Sequence, residues 1–200
     1  MEKQQFQMNH HHNTLSKKNC SSKNSSDSEQ SETDSSSIIE QPLSEIFLKE
    51  ISKVLNTIIC EKTKSKITKT KKSPFDHDNI PKISLFNYLL RIKKYSRIEN
   101  SSIIIALIYI DRICKKKKIV LTKYNIHRII LSSILISIKN NEDIIYDNLY
   151  FSKIGGVTPD ELFKLEKEFL KIIDFELYVS DELYNKYYNF LNINHIAEAE

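Results

Sequence analysis

The sequence predicts an all-α fold, a single helical domain with an extra helix at its N-terminal and C-terminal ends. Three observations carry this. Only 2 Gly and 4 Pro occur in 200 residues, too few for the turns that a sandwich or barrel needs roughly every 8–12 residues. Apolar residues recur at the 3, 4, 7 spacing of one helix face through most of the second half of the chain. Helix-capping residues also stand where several of those runs begin. A core of about 120 residues would bury well over half of the surface that its unfolded chain exposes, so such a domain folds without staples.

Residues 1–42 read as a disordered tail. Between Cys20 and Ser37, nine of eighteen residues are Ser, interspersed with Asp27, Glu29, Glu32 and Asp34. That stretch has too little apolar surface to offset the entropy of ordering it. His10 to His12 read as low-complexity sequence rather than a metal site. Residues 43–60 read as an amphipathic helix capped by Ser44. Leu43, Ile46, Phe47, Ile51, Val54, Leu55, Ile58 and Ile59 form its stripe, and Glu50 breaks it. Such a stripe must cover another surface, either the following domain or a partner. Residues 61–80 read as a basic linker, with Lys62, Lys64, Lys66, Lys69, Lys71 and Lys72 followed by Pro74 and Pro81.

Residues 81–179 carry five expected helices. Pro81 suits the opening of the first, which runs to about Ser96 with Leu85, Tyr88, Leu89 and Ile92 on one face. The second is capped by Asn100 or Ser101. Its run Ile103 to Ile110 reads equally as a buried strand by periodicity, but its length and caps favour a helix closing on Lys115 to Lys118. The third, from Thr122 to Lys139, is apolar on most sides and belongs inside a bundle. A short fourth holds Leu149, Tyr150 and Phe151 and ends at Gly155-Gly156, where a left-handed residue is expected. Thr158-Pro159-Asp160-Glu161 spells a capping box for the fifth, which continues through Phe169 to Ile173. Residues 180–200 add a last helix, capped by Ser180, whose Leu183, Tyr184, Tyr187, Tyr188 and Leu191 read as a packing stripe.

The chemistry-bearing residues point away from an enzyme. The three cysteines, Cys20, Cys60 and Cys114, are far apart and read as reduced thiols. No metal-ligand spacing, phosphate loop or nucleophile–base pairing is visible, and no cofactor is implied. The net charge of +4 is too mild to demand nucleic acid as a partner, so nucleic acid is not expected. The first residues are polar and no apolar run approaches the length of a membrane span, so no membrane association is expected. Nucleus and/or cytoplasm is the expected location.

The middle of the chain resembles a cyclin box. The resemblance rests on Tyr88-Leu89-Leu90-Arg91-Ile92 and Ala106-Leu107-Ile108-Tyr109-Ile110-Asp111-Arg112. Next come Leu121-Thr122, Asn125-Ile126-His127-Arg128 and Ser137-Ile138-Lys139. Last are Tyr150-Phe151-Ser152-Lys153-Ile154-Gly155-Gly156-Val157 and Leu165-Glu166-Lys167-Glu168-Phe169-Leu170. The His-Arg pair and the Lys-Ile-Gly-Gly-Val segment are similar to the P-type (phosphate-regulatory, or U-type) cyclins in particular. Each motif is weak alone, and their order along residues 81–180 makes them specific together.

The resemblance implies a single five-helix cyclin box and a regulatory, non-enzymatic role. Cyclins bind a cyclin-dependent protein kinase and hold its C-helix and activation segment in the active arrangement, while the kinase supplies the chemistry. Lys139 and Glu166 match the Lys and Glu with which cyclins contact the kinase. Leu170, Phe175 and Leu177 are the matching candidates for the apolar part of that contact. Both charged side chains are expected to be solvated before the partner binds. Lys82 falls where many cyclins carry an Arg paired with the Asp of Tyr-Ile-Asp-Arg, which implies a structural pair with Asp111. Pro81-Lys82-Ile83-Ser84-Leu85 stands in place of the Met-Arg-x-x-Leu motif, so that substrate-recruiting patch is not implied. A cyclin-like scaffold in transcription or nucleic-acid binding is the alternative reading.

Overall fold

The computed structural model describes residues 36–64, 73–117 and 119–196, with side chains described over 45–59, 73–116 and 119–191. These residues form seven helices and no strand: α1 Ser36–Lys64, α2 Leu85–Ser96, α3 Asn100–Lys117, α4 Ile126–Asn141, α5 Asn148–Gly155, α6 Pro159–Ile173 and α7 Asp181–Ile196. Helix α4 is the centre. Every residue from Ile129 to Ile138 is buried, and α3, α5 and α6 pack around it. Its buried serines are satisfied within the bundle. Ser132 Oγ donates to Arg128 O at 2.8 Å, Ser133 Oγ to Ile130 O at 3.0 Å, and Ser137 Oγ to Ser102 O of α3 at 2.7 Å.

The N-terminal helix docks on its own domain. Leu48, Ile51, Leu55 and Ile59 are buried, and α1 lies against α2 and α7. Glu50, the break in the stripe, is buried with them. The helix starts at Ser36 rather than 43, so residues 36–42 are helical, and Ser44 lies inside α1 instead of capping it. It also takes in residues 61–64 of the expected linker. The rest of the expected tail, 1–35, and of the linker, 65–72, lies outside the described residues, as do Cys20 and the His run.

Local hydrogen bonds set the other boundaries. Ser84 Oγ accepts from Asn87 N at 3.2 Å, so α2 starts at Leu85 and Pro81 stands outside it. The Ile103 to Ile110 run is helical in α3. Helix α4 starts at Ile126 rather than Thr122, because Thr122 N donates to Asn125 Oδ1 at 2.9 Å and closes a turn first. Gly156 caps α5 at φ 71°, as its position predicts. Gly155 has a different reason. A Cβ there would lie 2.4 Å from Leu131 Cδ2, so glycine lets α5 close on α4. The box at Thr158 is half closed. Its Oγ1 accepts from Glu161 N at 3.1 Å, but the Glu161 carboxylate pairs with Arg128 instead of reaching back.

The expected Lys82–Asp111 pair does not form. Lys82 is exposed ahead of α2, while Asp111 is buried in α3. Asp111 Oδ2 accepts from Lys115 Nζ at 2.5 Å and from Tyr187 OH at 2.9 Å. Lys115 is one turn away on the same helix and reaches the carboxylate with little loss of freedom. Helix α7 delivers the second donor. Burial, followed by the Asp111 charge, pushes the Tyr187 hydroxyl up, which keeps it a donor.

His127 packs rather than reacts. Its Nε2 lies 3.1 Å from Ile83 O, its ring meets Tyr88 edge-on at 4.9 Å, and its Nδ1 is buried without a partner. Burial holds its pKa below the ordinary 6.5. The unfolded chain therefore binds the proton more readily, and stability falls as the pH drops below about 6.5, levelling once the folded ring is also charged. The stability advantage over a His127→Gln variant should shrink between pH 7 and pH 5, measured by urea unfolding. A constant or growing advantage would show that the ring is not buried neutral.

Candidate functional site

Two helices that pack on each other build the site. Lys139 is the first residue of α4 to leave the core, and Glu166 faces it from α6. Lys139 Nζ donates to Glu166 Oε1 at 2.6 Å, and Asn148 Nδ2 of α5 donates to Glu166 Oε2 at 3.2 Å. The Glu166 side chain is 12% exposed and that of Lys139 32%. The two charges are thus already paired and partly desolvated, a correction to the expectation that each is solvated in the free chain. A carboxylate held by an ammonium and an amide stays fixed in direction, which a mobile surface Glu does not.

The apolar candidates follow from the same helix. Leu170 is one turn beyond Glu166 on the same face. The chain then reverses through two left-handed residues, Asp174 at φ 60° and Phe175 at φ 54°. Phe175 N donates to Leu170 O at 3.1 Å, and Leu177 N to Phe175 O at 2.9 Å. Leu170 and Leu177 are half-buried against the core, and Phe175 is 68% exposed. Lys139 thus stands at the C-terminal end of α4, Glu166 and Leu170 lie along α6, and Phe175 and Leu177 follow just past its C-terminal end.

Sequence reasoning missed several neighbours. Phe163, 58% exposed, precedes Glu166 by three residues and extends its stripe. That spacing is readable in the sequence. Ile144, Ile145 and Leu149 are exposed around the loop from α4 to α5 and the start of α5. The two isoleucines stand in the connection after the helix expected to end at Lys139, where no helical spacing singles them out. Asn148 carries no local signal, since only the packing of α5 on α6 places it at Glu166. Among the described residues, no group of His, Cys, Asp and Glu could hold a metal, and no helix is long and apolar enough to cross a membrane.

A family model described as cyclin matches residues 3–177. The chain belongs to the cyclin family. It is 37% identical over 157 residues to Cyclin-U4-3 of Arabidopsis thaliana, which covers 76% of this chain and 71% of that protein. Cyclin-U4-2 of the same plant is 39% identical over 116 residues, 58% of this chain and 54% of that protein. PHO85 cyclin-7 of Saccharomyces cerevisiae is 37% identical over 125 residues, 56% of this chain and 44% of that protein. The chain thus spans about half the length of the last two. These similarities place it among the P/U-type cyclins.

Because Glu166 keeps Asn148 as a donor, loss of Lys139 alone is mild. Lys139→Met should cost the free cyclin about 1 kcal/mol, the scale of a half-exposed pair. Lys139→Glu faces one carboxylate with another and should cost about 1–3 kcal/mol. Urea unfolding midpoints test the order. A Met variant as unstable as the Glu variant would contradict the preformed pair.

Proposed function

We propose that this cyclin is the regulatory subunit of a cyclin-dependent serine/threonine protein kinase, acting in cell-cycle control. It meets the kinase with Lys139, Glu166, Leu170, Phe175 and Leu177. The observation that carries this reading is the Lys139–Glu166 pair held ready beside exposed apolar side chains. One ammonium hydrogen serves Glu166, and an ammonium has three. The remaining donors and the free lone pairs of Glu166 can take backbone groups of a partner helix. The exposed rings of Phe163 and Phe175 supply the apolar area that a partner desolvates. In this reading the cyclin contributes no reacting group. It holds the kinase C-helix and activation segment, and the kinase carries ATP and magnesium.

Affinity purification of the full chain should recover a cyclin-dependent kinase. Phe175→Ala should then weaken kinase binding by about 2–4 kcal/mol, the scale of an aromatic anchor, with unchanged helicity because the ring is largely exposed. The dissociation constant and phosphorylation of a generic substrate report it. Undiminished binding and activation by Phe175→Ala would contradict the assigned surface. Recovery of transcription components without any such kinase would contradict the function.

A further inference from the structure

The segment that carries Phe175 has neither helix nor sheet to hold it. Between Ile173 and Tyr178 it makes two consecutive left-handed turns at non-glycine residues, a conformation that costs most for a bulky side chain and persists only where the surroundings impose it. One stripe of α3 does so. Tyr109 OH donates to Leu177 O at 2.8 Å. Arg112 Nη1 donates to Glu176 O at 2.6 Å and Nη2 to Tyr178 O at 2.8 Å. Lys116 Nζ donates to Ile173 O at 2.9 Å and lies 2.9 Å from Glu176 Oε2. These three side chains stand at i, i+3 and i+7, so they share one helix face. Four carbonyls within six residues are thus satisfied from a single helix.

The fork of Arg112 is the centre of this arrangement. A planar guanidinium can span two carbonyls in fixed geometry, and an ammonium cannot. The bonds leave the Phe175 and Tyr178 side chains outside, 68% and 81% exposed. Burial pushes the Tyr109 hydroxyl up from its ordinary 10.0, so it remains a donor.

We propose that Arg112, flanked by Tyr109 and Lys116, is a positioning residue of the partner surface, clamping the 173–178 backbone so that Phe175 is presented pre-aimed. The proposal rests on the reading of Phe175 as a kinase contact. Without the clamp the segment must be ordered on binding, and that ordering is subtracted from affinity.

Two measurements test it on the full chain. The first needs no kinase. Hydrogen exchange of the amides at 174–178 should accelerate at least tenfold in Arg112→Lys, and also in Tyr109→Phe, which removes only a hydroxyl. Unchanged exchange in both overturns the clamp. The second is a double-mutant cycle on kinase affinity. Arg112→Lys should weaken binding tenfold or more in the native background, and threefold or less when Phe175→Ala is already present. Equal losses in the two backgrounds overturn positioning and leave Arg112 a general stabiliser. Phe175→Ala binding as tightly as the native chain overturns the contact reading itself, and the purpose of the clamp with it, whatever the exchange shows. If Arg112→Lys does not fold, Tyr109→Phe carries both measurements with the same outcomes.

Discussion

Helix α4 cannot face water. Ten consecutive residues, Ile129 to Ile138, are buried, and a helix apolar on every side is stable only when enclosed. Helices α3, α5 and α6 take their places around it for that reason. Its three buried serines do not defeat the burial, because each hydroxyl donates to a backbone carbonyl inside the bundle. Gly155 leaves room on α5 for the Leu131 side chain, which a Cβ there would meet at 2.4 Å. The site inherits this enclosure. Lys139 stands where α4 reaches the surface, and Glu166 meets it from α6, which packs on α4. The position of the ion pair is therefore set by the core, and little ordering remains for a partner to impose.

The outer helices have a different task. Helix α1 spends its apolar stripe on α2 and α7, and α7 returns Tyr187 to the buried Asp111. A small apolar cavity between α1, α3 and α7, lined by Ile51, Leu107, Ile110 and Phe190 among others, marks where they meet. The polar contents of that side are internal. The buried Asp111 accepts from Lys115 and Tyr187 through Oδ2. Ile144, Leu149, Phe163 and Phe175 carry exposed apolar side chains that the fold leaves uncovered. Uncovered apolar surface beside a fixed charge pair is what a protein partner requires.

Much of this was legible because helices announce themselves locally. The stripe of α6, the proline after Thr158 and the paired glycines after α5 each specify a boundary through neighbours within a few residues. The failures share the opposite cause. Glu161 has the spacing of a capping box, yet Arg128 from α4 outcompetes the local amide. The family resemblance implies Lys82 as the partner of Asp111, yet its partners are a lysine one turn along and a tyrosine 76 residues away. Asn148 reaches Glu166 only after α5 has packed. Ser44 and Pro81 carry helix-start chemistry, yet α1 begins upstream at Ser36 and Ser84 caps α2 instead. Of the site, Lys139, Glu166, Leu170, Phe175 and Leu177 were legible through the family resemblance, and Phe163 through spacing alone.

The central claim is that the end of α4 at Lys139, with α6, is the partner face and that α1 and α7 are not. Hydrogen exchange of the full chain with and without a bound cyclin-dependent kinase tests it most directly. The account predicts slowed exchange at residues 139–149 and 163–177 and unchanged exchange through the described parts of α1 and α7. Protection confined to α1 and α7, with residues 139–149 and 163–177 exchanging as in the free chain, would contradict it.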